Sequence, residues 1–493
     1  VHRHVRPPWS VKDWRGMSSI EQAERWAAFL KEDRKTPLTL TQEPVMRFVL
    51  VQLTEDAWEF LWSVPALLLD GWSWPVVFRE ASEIYGALSR GQRITLDPAL
   101  PYKAYIEWLG SQSTKDAEAF WRDNLKGFRH PTKWPSGVPA VTDANDRFAE
   151  HAVVLSVEAA GALNAVARRL QLTVSSLVQG AWALLLSRQS GLSDIVFGAA
   201  FAGRPVELRG ADSIVGPFVN NVPVRVQVDG ECRTAKFFRD VHARILGLSP
   251  FQYMPLLEIQ DCSEVPWQYR LFESLVVFQN YAVDEAARCF GGDIHLAEFR
   301  APIHTNYPVL LLAEPGDALK LVLIYDRKYM ARTVVEAWGQ DLSLLMSQLP
   351  AVLDWPLREL KERLSTPVEG GGPLRTRMHV GSQNYVPPQT ELEKSIAMVW
   401  QRMFGLERVS VEENLFDLGG HSLLIVHMHR RLATALKREF PLVTLFMCPT
   451  IRALARHFEE ADQPAQKTDD QWRTRAQQQK AALTQLRNKR GTR

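Results

Sequence analysis

Two rhythms of hydrophobic and polar positions trade places along most of the chain. Between Met17 and Leu349, stretches with helical spacing alternate with short runs rich in strand formers, the pattern of an α/β body. Ala23, Trp26, Ala27 and Leu30 share one face of a predicted helix that Ser18 and Glu21 open as a capping box. Phe48 to Leu53 reads as a strand. Leu67 to Leu69 reads as a short buried run stopped by Asp70 and Gly71. A helix over Trp74 to Leu88 follows, with Ser73 as N-cap and Pro75 in the first turn, where a missing N–H costs nothing. Ser113 to Leu125 predicts another helix. The same grammar then repeats. A strand at Val153 to Leu155 precedes helices over Val157 to Leu170 and Val174 to Arg188, the latter apolar enough to be buried all round. Strands are expected at Ile195 to Phe201, Val222 to Val228, Phe272 to Gln279 and Leu319 to Tyr325. The opening VHRHVRPPW carries neither period and reads as a start inside a domain.

Past this body the pattern changes. Residues 351–385, with Pro367, Gly370 to Gly372, Pro373, Gly381 and Ser382, are expected to be a linker. Residues 386–462 are helical throughout. Leu392, Ile396, Val399 and Trp400 mark a first helix; Leu424, Met428, Leu432 and Leu436 mark a second. Thr450 caps a third that carries Ile451, Leu454, Ala455 and Phe458. This is a small all-α bundle. Residues 463–493 form a basic, Gln-rich tail that reads as a connector.

Composition narrows the classes. The 493 residues are 46% hydrophobic and 23% charged, with a net charge of +2. That is ordinary globular composition without the electrostatic footprint of a nucleic-acid binder. Cys232, Cys262, Cys289 and Cys448 lack metal-ligand or disulfide-framework spacing, so no metal site and a reducing, cytoplasmic setting are expected. No signal peptide and no membrane-spanning run is seen.

The candidate chemistry begins at Ser422 in NLFDLGGHSLL, where a loop enters the second helix of the bundle. Gly419 and Gly420 permit a tight turn. A helix N-terminus favours a phosphate ester on that serine. Gly420-His421-Ser422 fails as a hydrolase nucleophile elbow, because position 424 is Leu where that motif wants Gly. The string from Pro387 to Glu460, including TELEKSIAMVWQRMFGLERVSVEENLFDLGGHSLL and PTIRALARHFEE, resembles the peptidyl carrier (thiolation) domain of nonribosomal peptide synthetases. The resemblance implies 4'-phosphopantetheine joined covalently to Ser422 by a phosphopantetheinyl transferase. Asp417, Leu418, Gly419, Gly420 and His421 would form the carrier motif. An acyl carrier of a polyketide line is the neighbouring alternative.

The body resembles the condensation domain of the same synthetases, on the strings YKAYIEWL, AFWRDNLKGF, DIVFGAAFAGRP, SIVGPFVNNVPVRV, PLLEIQ and LFESLVVFQNY. The implied architecture is a two-lobed chloramphenicol-acetyltransferase-like α/β fold over residues 1–350, N-terminally truncated. Its first lobe would span about 1–140 and its second about 145–350. The family joins an amine to a thioester carbonyl, a reaction that needs a positioned base and oxyanion stabilisation. Its HHxxxDG motif survives here only at Asp70 and Gly71; Pro65 and Ala66 stand where the histidines belong. An alanine methyl accepts no proton, so a condensation body that docks carriers without catalysing is the competing reading. The resemblance also implies an ion pair between Asp70 and Arg47, and tunnel-shaping or structural roles for Asn220, Pro223 and Arg225. His304 is a lone histidine and is expected to be structural rather than a substitute base. Residues 351–385 hold no ATP-using domain and no phosphate-binding loop. The expected partners are therefore an adenylation domain in trans and upstream and downstream synthase modules, with no nucleic acid and no membrane.

Overall fold

In the computed structural model, residues 7–36, 38, 45–132, 147–267, 269–279, 289–298, 300, 305–366, 385–415, 418 and 422–462 are described. They fall into two units. One holds the described residues of 1–126, 134–263 and 272–371; the other holds those of 127–133, 264–271 and 372–493.

The first unit opens with a three-stranded sheet, β1 (Trp9–Asp13), β2 (Arg47–Gln52) and β3 (Trp58–Ser63). β1 runs parallel to β2, and β3 antiparallel to it. One face packs Val49 and Val51 against Trp14 and against Trp26 and Phe29 of helix α1 (Ser19–Lys35). The expected capping box opens α1: Ser18 Oγ accepts the Glu21 N–H at 3.3 Å, and Glu21 accepts the Ser18 N–H at 2.8 Å. β1 runs through residues that carry no period. It is an edge strand with mostly exposed side chains, so backbone pairing to β2 makes it a strand and no burial pattern announces it. Helices α2 (Ser73–Ser89), α3 (Lys103–Gly110) and α4 (Thr114–Asn124) follow. The run at Leu67 to Leu69 is not buried as expected. Residues 66–68 form a turn and Leu67 is 64% exposed.

A six-stranded mixed sheet forms the larger core. Its strands are β4 (Phe148–Leu155), β5 (Asp194–Phe201), β6 (Asn220–Gln227), β7 (Ser274–Phe278), β10 (Val309–Glu314) and β11 (Leu319–Asp326), in the order β4-β11-β10-β7-β5-β6; a two-stranded hairpin of β8 (Cys289–Phe290) and β9 (Ile294–His295) stands apart. Its helices are α5 (Val157–Leu170), α6 (Val174–Ser190), α7 (Thr234–Leu248), α8 (Leu256–Asp261) and α9 (Arg332–Gln348). α6 is buried almost all round, as its composition predicts, and Trp182 donates its indole N–H to Ser274 Oγ at 3.1 Å. A Cβ on Gly180 would lie 2.4 Å from the Phe238 ring, so glycine there sets the approach of α6 to α7.

The linker expectation needs correction at its start. Residues 351–366 carry helix α10 (Leu357–Glu362), with Leu357, Leu360 and Leu364 buried. Lys361 Nζ donates to Ser187 Oγ at 2.8 Å, and Ser365 bonds the Asp341 carboxylate. Burial of these three leucines holds the segment on the body.

The second unit is built on helices α11 (Glu391–Phe404), α12 (Ser422–Leu436), α13 (Val443–Met447) and α14 (Ile451–Asp462). Ile396, Trp400, Phe404, Leu415, Met428, Leu432, Leu454 and Phe458 meet in its core. Thr390 caps α11, and Thr450 Oγ1 accepts the Ala453 N–H at 3.1 Å, as predicted for the third helix. Glu393 is buried, which by itself pushes its carboxyl up. The N–H groups of Gln389 and Thr390 together with Arg452 outweigh this and hold it below the ordinary value of 4.5. The charged carboxylate therefore stabilises the bundle fully above that value, and the stabilisation is lost as pH falls through the lower folded value. Glu393→Ala is expected to cost the bundle about 1–2 kcal/mol at neutral pH, as lost caps do, and to flatten its stability below pH 4.5; urea unfolding against pH reads both.

Candidate functional site

Asp70 closes the turn after β3, and its side chain is only 3% exposed. A buried carboxylate must be charge-paired and hydrogen-bonded, and this one is bonded on both oxygens. Oδ1 accepts the Ser73 N–H at 2.9 Å, the Ser73 hydroxyl at 2.8 Å and Arg204 Nη2 at 3.1 Å; Oδ2 accepts the Phe218 N–H at 3.1 Å. Asp70 thus serves the first turn of α2, where Ser73 was expected to be the cap. Ser73 instead lies inside the helix and bonds the Gly216 backbone at 3.0 Å in both directions. Arg204 Nη1 donates to the carbonyls of Ala211 and Ile214, and its guanidinium lies 4.2 Å over the Phe218 ring. Two glycines make this approach possible. Gly203 has φ +67°, and a Cβ there would lie 1.9 Å from the Phe218 carbonyl oxygen; one on Gly216 would lie 2.2 Å from the Tyr102 ring.

Arg47 is not the partner of Asp70. Its Nε bonds Asp33 Oδ1 at 2.7 Å, and its Nη2 bonds the carbonyls of Asp33 and Thr36 at 2.6 and 2.9 Å. Arg47 lies opposite Ser63 in the β2–β3 register, and Ser63 bonds the other oxygen of the same Asp33. The arginine therefore serves the C-terminal end of α1, where a cation suits the helix dipole. Arg204 was in plain view in FAGRP. Its pairing joins residues 134 positions apart, which no local periodicity signals.

Pro65 and Ala66 sit in the turn between β3 and Asp70. Ala66 is exposed, and Leu68 donates its N–H to the Pro65 carbonyl at 3.0 Å. Burial, with Tyr102 and Asp70 adding to it, pushes Tyr105 to about 12, and burial raises Tyr102 as well. His304 lies outside the described residues.

Asn220 and Arg225 act through β6. Asn220 Nδ2 donates to the carbonyls of Gln252 and Met254 at 2.7 and 2.8 Å. Arg225 pairs with Asp194 at 2.7 Å and donates to the carbonyls of Asn124 and Lys126 at the C-terminal end of α4. Pro223, opposite Gly198 in β5, is buried in the same strand.

Residue 422 is the first residue of α12. Leu418 before it and Leu424 and Ile425 after it are buried in the bundle core, which pins the backbone on both sides. A hydroxyl residue opening a fifteen-residue helix suits a phosphodiester, because the first-turn N–H groups and the dipole favour an anion there. Asp417, Gly419, Gly420 and His421 lie outside the described residues. No group of three or more His, Cys, Asp or Glu able to hold a metal occurs among the described residues, and no single helix among them is long and apolar enough to cross a membrane.

The family model described as condensation domain matches residues 1–365. The chain belongs to the condensation-domain family. A second model, described as phosphopantetheine attachment site, matches residues 394–458, which makes the bundle a carrier domain with covalently attached 4'-phosphopantetheine as its cofactor. The condensation domain is similar to a linear gramicidin synthase of Brevibacillus parabrevis, 36% identical over 355 residues, and to chondramide synthase cmdD of Chondromyces crocatus, 32% identical over 323 residues. These alignments cover 70% and 64% of the chain, which spans 7% and 8% of those proteins. Among solved structures, the four-domain nonribosomal peptide synthetase holo-AB3403 superposes with a TM-score of 0.61 at 17% identity, over 80% of the chain and 31% of that structure. The starter condensation domain of rhizomide synthetase RzmA gives 0.59 at 18%, over 72% and 80%. The two-lobed α/β condensation fold and the carrier bundle expected from the sequence are thus borne out.

Proposed function

We propose that this chain works as part of a nonribosomal peptide synthase, or of a hybrid peptide–polyketide synthase. Residues 386–462 act as its carrier, with Ser422 as the attachment point and Asp417 to His421 as its carrier motif. The observation that carries this reading is a hydroxyl residue at the start of a helix whose flanking leucines are locked into the bundle. Partners follow from the chemistry. A phosphopantetheinyl transferase installs the arm, an adenylation domain acting in trans charges it, and neighbouring modules supply and accept the chain.

We also propose that the condensation body is catalytically silent and serves as a scaffold. Amide formation requires the acceptor amine to attack the thioester carbonyl, form the C–N bond, break C–S and give up a proton. The position for the base holds an alanine. The intact Asp70–Arg204 network keeps the body folded without it. The test loads the full chain with aminoacyl-coenzyme A through a broad-specificity transferase and offers a panel of acyl N-acetylcysteamine thioesters. The unaltered chain is expected to show background amide formation. Pro65→His with Ala66→His is expected to raise it by about 10²–10⁴, the usual contribution of a general base. Turnover by the unaltered chain equal to that of the double variant overturns the silent reading.

A further inference from the structure

We infer that Trp267 is a docking residue that holds helix α12 of the chain's own carrier domain. Trp267 falls within the range matched by the condensation model, yet it belongs to the same unit as the carrier bundle and packs against the carrier core. Its ring stacks face to face on His427, with centroids 3.8 Å apart and planes 9° from parallel. His427 is 6% exposed, and Arg431 Nε approaches its Nε2 at 3.4 Å, so the imidazole is held from two sides.

The segment that presents Trp267 is braced. The Glu264 carboxylate accepts the Gly127 N–H and Arg129 Nε, each at 2.7 Å. Val265 and Leu271 on either side of the indole are buried. A short loop fixed at both ends offers its aromatic ring without a large ordering cost, which is what makes an aromatic side chain an effective anchor.

Helix geometry says what this grip leaves open. Position 427 lies five residues beyond 422, about 140° round the helix axis. Leu424, Ile425, Met428 and Leu432 are committed to the bundle core. The indole therefore holds a flank of α12 away from the azimuth of residue 422. The contact can steady the carrier while the attachment position stays available. It also discriminates, because a carrier with an aliphatic residue at the place of His427 loses the flat stack.

The inference rests on the carrier reading of Ser422, and the experiment separates the two. The full chain, with labelled histidine and backbone nitrogen, is studied before and after incubation with coenzyme A and the transferase. His427→Ala identifies the His427 ring resonances. They are expected upfield, in the ring current of the indole. Trp267→Ala is expected to abolish that shift and to give the amides of α12 faster relaxation-derived tumbling, while the mass gained on loading stays unchanged; Trp267→Phe keeps part of the shift. His427 resonances and α12 tumbling identical in the unaltered chain and Trp267→Ala overturn the docking role. Failure of the unaltered chain to gain mass overturns the carrier reading and leaves the ring-current result standing by itself. Trp267→Phe, which preserves an aromatic body, guards against a result due only to unfolding.

Discussion

Incubated with coenzyme A and a broad-specificity phosphopantetheinyl transferase, the chain is expected to gain one phosphopantetheine, and Ser422→Ala none. The effect is all or nothing because the phosphodiester needs the hydroxyl oxygen, and alanine at the first residue of α12 removes it while keeping a good helix former there. Intact-protein mass reads the gain, and peptide mapping places it. Circular dichroism should be unchanged in Ser422→Ala, since the core on either side of the site is made by Leu418, Leu424 and Ile425. Modification persisting in Ser422→Ala would move the attachment to another residue. An unmodified parent chain would remove the carrier function altogether.

Asp70→Asn is expected to destabilise the condensation body by about 3–5 kcal/mol, the range for breaking a buried ion pair from one side. The amide cannot substitute. Asp70 faces donors on both oxygens: Ser73 N–H, Ser73 hydroxyl and Arg204 at one, Phe218 N–H at the other. Whichever way an asparagine turns, its NH₂ meets a donor, and Arg204, 6% exposed at its side chain, keeps its charge without a counterion. Arg204→Met is expected to cost about the same 3–5 kcal/mol, because it leaves the buried Asp70 carboxylate hydrogen-bonded but without a counterion. Arg47→Met should leave the Asp70 network intact and act on α1 through Asp33. Chemical unfolding followed on the body's own transition compares the three. Equal losses for Arg47→Met and Asp70→Asn would contradict the assignment of partners.

What could be read in advance follows from where the information lies. The capping box of α1, the all-round burial of α6 and the core stripes of the carrier helices were legible because each is written within a few neighbouring residues. Edge strand β1 was not, since its side chains are mostly exposed and its strand character is lent by β2. Helix α10 hid in an expected linker because six residues are too few to show a period. The string that points to Ser422 is local; the partner of Asp70 is written in no local string.

The sequence by itself determined the fold class and a carrier bundle with residue 422 at a helix start. These depend on residue identity and short-range spacing. Only the tertiary structure decided that Asp70 belongs to Arg204 and Arg47 to Asp33, and that Trp267 lies on His427. A cation has no preferred partner along a chain. It takes the buried carboxylate that the packing brings within reach, here through two glycines, Gly203 and Gly216, which let the loop carrying Phe218 come close enough to close the network.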